Sequence, residues 1–328
     1  MEPFAYASPS SVEEAIRLLG DHPGDAEILA GGTDLLARMK DYVSTPSRVI
    51  SIAKIGALHG IRNVKGDLRI GAMVTFEQLL RSNVREHFPA IHEAVEVIAG
   101  PQIRNMGTIG GNLLQRPRCW YYRGGFGLLA RDADGKSLVP NGDNRYHAIL
   151  GNSGPAYFVS PSSLAPALIV FGASVTLHGP SGPREIPLEK FFVIPDSENA
   201  REHAIAPNEI LTEISIPASS RGMRSSTYEV RQKDALDWPL ATASVALRMN
   251  AARFESARIV LGHVAPIPWP ATEAEKFLAD KTITPESAAQ AGEAAVAGAK
   301  PLSRNAYKVQ LARVCVARAL LAAAKGVA

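Results

Sequence analysis

The sequence predicts an α+β protein with two domains. Its 328 residues exceed the roughly 150 of an average domain, and 46% of them are hydrophobic, which is enough to bury a substantial core. Short strand and helix patterns are interspersed in the first half, whereas the final third has hairpin strands followed by a block of alanine-rich helices. This change of pattern predicts a separate α+β unit at the C-terminal end.

Hydrophobic periodicity predicts the elements of the first half. Ser10 and Ser11 each precede a glutamate by three residues, a pattern that caps the first turn of a helix. The apolar residues that follow lie on one helical face as far as Gly20. Further strands are predicted at 27–30, 48–52 and 68–72, and further helices at 35–40, 76–80 and 90–98. The stretch 116–152 is poor in apolar residues and rich in Gly, Arg and Asp, which favours a long loop.

The sequence pattern of the second half predicts the domain boundaries. Regular structure is predicted again at 168–171, 174–177 and 210–216, with a break at Pro180-Ser181-Gly182-Pro183. Hairpin strands at 242–248 and 257–264 and helices near 273–278, 285–297 and 307–325 complete the chain. We therefore predict a first domain at 1–178 with lobes of about 1–57 and 58–178, a linker region at 179–220 and a C-terminal α+β domain at 221–328.

Charge and cysteine content exclude several classes of protein. The chain has 35 Lys and Arg against 32 Asp and Glu, a net charge of +3, and no basic block typical of nucleic-acid or membrane-surface binding. Its two cysteines, Cys119 and Cys315, exclude a disulfide framework and any metal or iron–sulfur site that needs several thiolates. The N-terminus lacks the pattern of a signal peptide, and no apolar run is long enough to span a bilayer. We expect a cytoplasmic protein.

Two double-glycine loops are the strongest candidates for ligand binding. Gly31-Gly32 lies between a predicted strand and a predicted helix, and Gly110-Gly111 precedes Asn112. Glycine lets the backbone approach a ligand closely, and amide donors at a helix start suit an anion such as a pyrophosphate. Taken alone, each loop favours a tight turn over a ligand site. Neither matches a standard dinucleotide or phosphate-loop motif, and no nucleophile–base pair is evident.

Together, the two loops resemble those of the FAD-binding medium subunits of the molybdenum hydroxylases, the family of xanthine dehydrogenase, carbon monoxide dehydrogenase and aldehyde oxidoreductase. The resemblance rests on Ala30-Gly31-Gly32-Thr33-Asp34-Leu35-Leu36 and on Ile103-Arg104-Asn105-Met106-Gly107-Thr108-Ile109-Gly110-Gly111-Asn112-Leu113. It extends over essentially the whole chain, including Val260-Leu261-Gly262-His263-Val264-Ala265. The segments around Cys119 and Trp238 are most similar to the branch of the periplasmic aldehyde oxidoreductase and 4-hydroxybenzoyl-CoA reductase.

The resemblance implies a two-lobed FAD-binding domain of the PCMH type, followed by an α+β domain like the C-terminal domain of the CO dehydrogenase flavoprotein. It implies that FAD is bound noncovalently by residues of both loops: Glu27, Ile28, Leu29, Ala30, Gly31, Gly32, Thr33, Asp34, Leu35, Thr108, Ile109, Gly110, Gly111 and Asn112. Arg231 or Lys233 occupies the place of a basic residue near the flavin, and the sequence leaves both open. Ser163 stands where the family often has an aspartate, so one flavin contact is missing or replaced.

The resemblance also implies a role and partners. The chain would be the electron-transfer subunit of a complex with a large molybdopterin-binding subunit, a small [2Fe–2S] subunit and an external electron acceptor, with no catalytic residue of its own. The similar branch carries a [4Fe–4S] cluster in the loop after Gly111, but Cys119 is the only thiol in that loop here, so we expect no cluster in this chain. Two alternatives remain open: a noncatalytic scaffold that has lost or weakened FAD binding, and a self-contained flavin oxidase or reductase.

Overall fold

Three short parallel strands form the sheet of the N-terminal lobe. The computed structural model describes residues 1–22, 24–232, 237–250 and 253–325. Its first elements are β1 (Ala5–Ala7), α1 (Val12–Leu19), β2 (Ala26–Leu29), α2 (Leu35–Lys40) and β3 (Arg48–Ser51). The strand order is β1-β3-β2, with both pairings parallel. As the capping pattern predicts, the Ser11 hydroxyl accepts a hydrogen bond from the Glu14 amide at 3.1 Å and begins α1.

The second lobe is built on a larger, antiparallel sheet. Its elements are a 3₁₀ turn (Gly56–Leu58), β4 (Ile61–Val64), β5 (Asp67–Gly71), α3 (Phe76–Leu80), α4 (Val84–His87), α5 (Pro89–Glu96), α6 (Pro101–Met106), α7 (Ile109–Leu114), α8 (Trp120–Arg123), α9 (Leu164–Ile169), β6 (Ser174–Gly179), β7 (Gly182–Pro187), α10 (Leu188–Phe191) and β8 (Ile210–Ile216). The strand order is β4-β5-β8-β6-β7. The apolar helix α9 is buried on all sides and supplies the centre of this lobe's core.

The range 179–220, predicted as a linker region, contributes two strands to this sheet. Strand β8 is its middle strand and pairs with both β5 and β6. The break at Pro180 is the tight turn of the β6–β7 hairpin, where Gly182 has a φ of +99°. Turn residues mark a change of direction equally well inside a sheet and between domains, which is why the pattern alone was compatible with a linker.

The C-terminal part is an antiparallel sheet covered by helices, as the sequence predicts. Its elements are a 3₁₀ turn (Ala218–Ser220), β9 (Arg224–Val230), β10 (Ala241–Asn250), β11 (Arg253–Gly262), β12 (Trp269–Pro270), α11 (Thr272–Leu278), α12 (Pro285–Ala295) and α13 (Tyr307–Lys325). The strand order is β12-β11-β10-β9. Helix α13 packs on β9 and β10 through small residues that include the fully buried Cys315. None of the helices in the described ranges has the length and apolar content needed to cross a bilayer.

The C-terminal sheet is joined to the second lobe by polar contacts on α5. The Glu93 carboxylate accepts hydrogen bonds from the Ser226 hydroxyl at 2.9 Å and the Thr227 amide at 2.6 Å, both on β9. The Thr227 hydroxyl donates to the carbonyl oxygen of Ala90 at 2.9 Å. These bonds bring the end of β9 beside the cleft between the two lobes, where the candidate site lies.

The stretch 116–152 is mostly loop, as predicted, and the C-terminal domain anchors it. The buried Lys308 ammonium donates to the carbonyl oxygens of Tyr146, His147 and His263 at 2.6 to 3.2 Å. The Asn305 amide also donates to the His147 carbonyl oxygen at 3.1 Å. Hydrogen bonds from Lys308 and Asn305 to backbone carbonyls of the loop therefore replace the regular secondary-structure bonds that the loop lacks.

Candidate functional site

The first double-glycine loop touches the backbone that leads into the second. A Cβ atom at Gly31 would lie 1.9 Å from the carbonyl oxygen of Met106, the last residue of α6. No side chain, however small, fits at that separation, so glycine is required at this position. Because β2 ends just before Gly31, the parallel sheet of the first lobe fixes this contact and brings the two lobes together.

Replacing Gly31 with alanine is therefore expected to push the lobes apart. Overpacking of this kind costs about 1–3 kcal/mol, and here the clash is with backbone rather than with a movable side chain. The free energy of unfolding, measured in denaturant, should fall accordingly. The matched control is Gly56→Ala, because a Cβ atom at Gly56 meets no atom within 4 Å. Equal stability of the two variants would contradict the close contact.

Two adjoining cavities lie beside this contact. The first, of about 150 Å³, is lined by eleven of the predicted site residues: Glu27, Ile28, Ala30, Gly31, Gly32, Thr33, Asp34, Leu35, Thr108, Gly110 and Gly111. The second, of about 280 Å³, is lined by Asn112 and Arg231 and shares Thr33, Asp34, Thr108 and Gly111 with the first. The structure thus brings residues of both loops to one cleft.

Two of the predicted residues that the structure describes do not line these cavities. Leu29 packs against α2, and Ile109 is fully buried in the core of the second lobe. Lys233 lies outside the described residues, so only Arg231 of that pair can be placed. Arg231 follows β9, and its guanidinium donates to the Glu229 carboxylate and to the carbonyl oxygen of Val97.

The two loops differ in the amide groups that they offer. In the first loop, the N–H groups of residues 31–34 donate hydrogen bonds to no group in the described part of the chain. In the second loop each corresponding N–H is engaged: that of Ile109 by the Val74 carbonyl at 2.8 Å, that of Gly110 by the Ala72 carbonyl at 2.9 Å, and those of Gly111 and Asn112 by Thr108 at 3.1 and 2.9 Å.

The expectation that both loops present amide donors is therefore wrong for residues 109–112 of the second loop. Its glycines serve packing, since a Cβ atom at Gly110 would lie 2.8 Å from the Cβ of Ala72. Consecutive free N–H groups form an anion-binding concavity, and this capacity belongs to the first loop. In that loop Gly32 has a φ of +74°, a left-handed conformation that L side chains adopt with difficulty.

The carboxylate of Asp34 is the centre of an arginine cluster. It lies 2.7 Å from the Arg123 guanidinium, 3.2 Å from that of Arg118 and 3.4 Å from that of Arg38, and it accepts the Arg116 amide at 3.1 Å. Burial alone would raise the pKa of Asp34, but Arg118 and Arg123 hold it below its ordinary value, so the group is ionised.

Glu27 acts on the site through Arg38. Its carboxylate receives both guanidinium nitrogens of Arg38, at 3.2 and 3.5 Å, and the Ser44 hydroxyl at 3.2 Å. Burial opposes ionisation of Glu27, yet the charge of Arg38 keeps its pKa below the ordinary value. Arg38 therefore bridges Glu27 and Asp34 and fixes the first loop against α2.

The cluster as a whole carries excess positive charge. On its far side, Arg116 pairs with the buried Glu202 at 2.5 Å. Arg201 lines the first cavity, close to Arg116 and Glu202. Among the described residues, the cluster has five arginines (Arg38, Arg116, Arg118, Arg123 and Arg201) and three carboxylates (Glu27, Asp34 and Glu202), an excess of two positive charges. A fourth carboxylate at the first cavity, that of Glu209, is paired with Arg184 outside the cluster. Such a site favours a ligand that carries about two negative charges.

Sequence analysis missed these arginines. Arg38 could have been found, because it lies one helical turn after Asp34, where an ion pair forms. Arg116 and Arg118 flank a proline that follows the second glycine pair by six residues, a position from which they could reach the same cleft. Arg201 gives no such signal, because it lies in an irregular segment about 90 residues after the second loop and about 170 residues after the first.

The second cavity combines aromatic and polar walls. The Arg118 guanidinium lies 4.3 Å from the ring centre of Trp238, a cation–π contact. Ser163, at the position where an aspartate was expected, bonds to His263 at 3.0 Å. Burial lowers the pKa of His263 to about 3, so its imidazole is neutral. Trp238, Arg118 and Ser163 therefore give this cavity aromatic, charged and polar walls.

Cys119 forms no metal centre with its neighbours. Its thiol lies 3.2 Å from His147 Nε2, and burial raises the pKa of the thiol. In the ranges that the structure describes, His, Cys, Asp and Glu side chains form no group of three or more able to hold a metal ion. The absence of an iron–sulfur cluster stays a prediction for iron analysis.

Comparison with known proteins identifies the family. Residues 2–219 match the family described as "FAD binding domain in molybdopterin dehydrogenase". Residues 226–323 match the "CO dehydrogenase flavoprotein C-terminal domain". The chain belongs to the FAD-binding medium subunits of the molybdenum hydroxylases. The two matches confirm the predicted fold class and the resemblance on which it was based.

Relatives in this family are oxidoreductase subunits. The carbon monoxide dehydrogenase medium chain of Hydrogenophaga pseudoflava is 32% identical, over 98% of this chain and 96% of that protein. The aldehyde oxidoreductase FAD-binding subunit PaoB of Escherichia coli is 29% identical, over 98% of both. The structure of reconstituted CO dehydrogenase from Oligotropha carboxidovorans is similar, with a TM-score of 0.77 and 30% identity over 99% of both chains. Like these proteins, this chain is a subunit of a molybdoenzyme-type oxidoreductase.

Proposed function

We propose that this chain binds one FAD noncovalently and passes electrons through it, from [2Fe–2S] clusters of a small partner subunit to an external acceptor. The observation that carries the proposal is the cleft between the lobes, where residues 31–34, whose N–H groups are free, and the arginines Arg38, Arg116 and Arg201 line one cavity. A large molybdopterin-binding subunit would oxidise the organic substrate. The names of the relatives support this assembly, since they are medium chains and FAD-binding subunits of larger enzymes.

The residues present fit the diphosphate of FAD. Its two negative charges would match the excess charge of the arginine cluster, and the free N–H groups of residues 31–34 could donate to its oxygens. The first loop would therefore hold the diphosphate. The second loop would support it through packing and through the Thr108 side chain, which lines both cavities.

The second cavity suits the flavin ring. It adjoins the first through shared residues, and its walls include Trp238, Ser163 and Arg231. When bound, FAD supplies the one- and two-electron chemistry that no side chain provides. The chain's own residues would bind and orient the ring, exclude water from one side and set the charge around it.

A simple test measures the cofactor content of the purified chain. We expect an absorption spectrum with flavin bands, close to one FAD per chain after addition of FAD and removal of the excess, and no stoichiometric iron. A chain without flavin bands would favour the scaffold alternative. A full complement of FAD together with stoichiometric iron and a cluster signal in paramagnetic resonance would refute only the prediction about iron. Steady turnover of substrate by the isolated chain would instead revive the self-contained oxidase.

A further inference from the structure

Arg201 stands apart from the other arginines of the cluster. Within the described residues its side chain forms no hydrogen bond or ion pair, and its Nε atom is fully buried without a partner. It lies in the irregular segment between α10 and β8 and lines the first cavity together with the first double-glycine loop.

The carboxylates closest to Arg201 are already engaged. Glu27 receives Arg38, and Glu202 receives Arg116. Burial lowers the pKa of Arg201, and the neighbouring charge of Arg116 lowers it further. A partly buried cation without an ion-pair partner is costly, and an anion in the cavity would reduce that cost.

We propose that Arg201 binds the diphosphate of FAD and gives the site its preference for dinucleotide over phosphate-free flavin. The inference rests on the proposed function. A planar guanidinium can donate two parallel hydrogen bonds to phosphate oxygens, and the free amides of residues 31–34 line the same cavity. The diphosphate would thus lie between a backbone donor set from the first lobe and a side-chain donor from the segment before β8.

The proposal predicts opposite effects on stability and on affinity. Without flavin, Arg201→Gln should be at least as stable as the wild type, because the variant loses a partly buried charge that has no ion-pair partner. Its affinity for FAD should fall about 10- to 100-fold, the range expected for loss of a charge-assisted hydrogen bond. A residue with a purely structural role would lower both quantities together.

The experiment titrates the flavin-free chain with FAD, ADP and riboflavin and follows thermal unfolding with and without FAD. We expect Arg201→Gln to weaken the binding of FAD and ADP and to leave riboflavin binding unchanged. Arg201→Lys should recover part of the affinity for FAD and ADP. The matched control is Arg313→Gln, which removes one charge from the Arg313–Glu293 pair on the helical side of the C-terminal domain. It should leave every affinity unchanged.

The outcomes separate this inference from the proposed function. Wild-type affinity for FAD in Arg201→Gln would overturn the inference and leave the function intact. Lower stability of the flavin-free variant, or an equal loss of FAD and riboflavin, would also overturn it, since Arg201 would then be structural. Failure of the wild type to bind FAD would remove the proposed function itself.

Discussion

Replacing Asp34 with alanine is expected to lower the free energy of unfolding by about 3–5 kcal/mol, the cost of removing one partner from a buried ionic network. Its carboxylate compensates Arg118, Arg123 and Arg38, and all three would be left with less negative charge around them. Denaturant unfolding at neutral pH measures the effect. Because the pKa of Asp34 is lowered in the folded chain, its contribution is present above its ordinary value of 3.8 and is lost as the pH falls below it.

The control for this variant is Asp143→Ala. Asp143 also pairs with an arginine, Arg145, but at the surface, where such pairs contribute little. Its unfolding midpoint should stay close to that of the wild type. If Asp34→Ala lowered the free energy of unfolding as little as Asp143→Ala, the stability of the arginine cluster would not depend on its central carboxylate.

Replacing Gly32 with aspartate is expected to lower the affinity for FAD about 100-fold, since a carboxylate beside the diphosphate site costs several kcal/mol. The new side chain would compete for the free amides of its own loop. The left-handed backbone of Gly32 accepts Asp and Asn better than other side chains, and the nearest atoms belong to the movable ends of Leu29 and Leu36. A flavin titration, with unfolding followed in parallel, measures the change.

Gly32→Asn is the matched control for this second variant. It has the same shape and the same tolerance for a positive φ, but no charge. We expect a much smaller loss of affinity, caused by the added atoms alone. Equal affinities of the Asp and Asn variants would show that no anionic group lies beside this loop.

Local sequence predicted the parts of the fold that local interactions determine. The cap at Ser11 and the apolar face of α1 are examples, because both depend on residues within one or two turns. The middle position of β8 was not predictable in the same way, because its partners on β5 lie about 140 residues earlier, as the Arg69–Glu213 bond illustrates.

The candidate site shows the same contrast between features that depend on local sequence and features that depend on distant residues. The two glycine loops were found from their motifs, but their different roles depend on distant groups. Gly31 is needed because of Met106, and the second loop's amides are engaged by Ala72 and Val74. Arg201 reaches the cleft only through tertiary packing, so no pattern around it in the sequence indicates a ligand.

The position of β8 has a consequence for the order in which the chain folds during synthesis. Until Ile216 has emerged from the ribosome, β5 and β6 lack the strand that joins them, and the sheet of the second lobe has a gap at its centre. Closing a loop of this length is slow compared with local hairpin formation. The segment that carries Arg201 emerges just before β8, so the cleft between the lobes is completed only when the last strand of the second lobe enters the sheet.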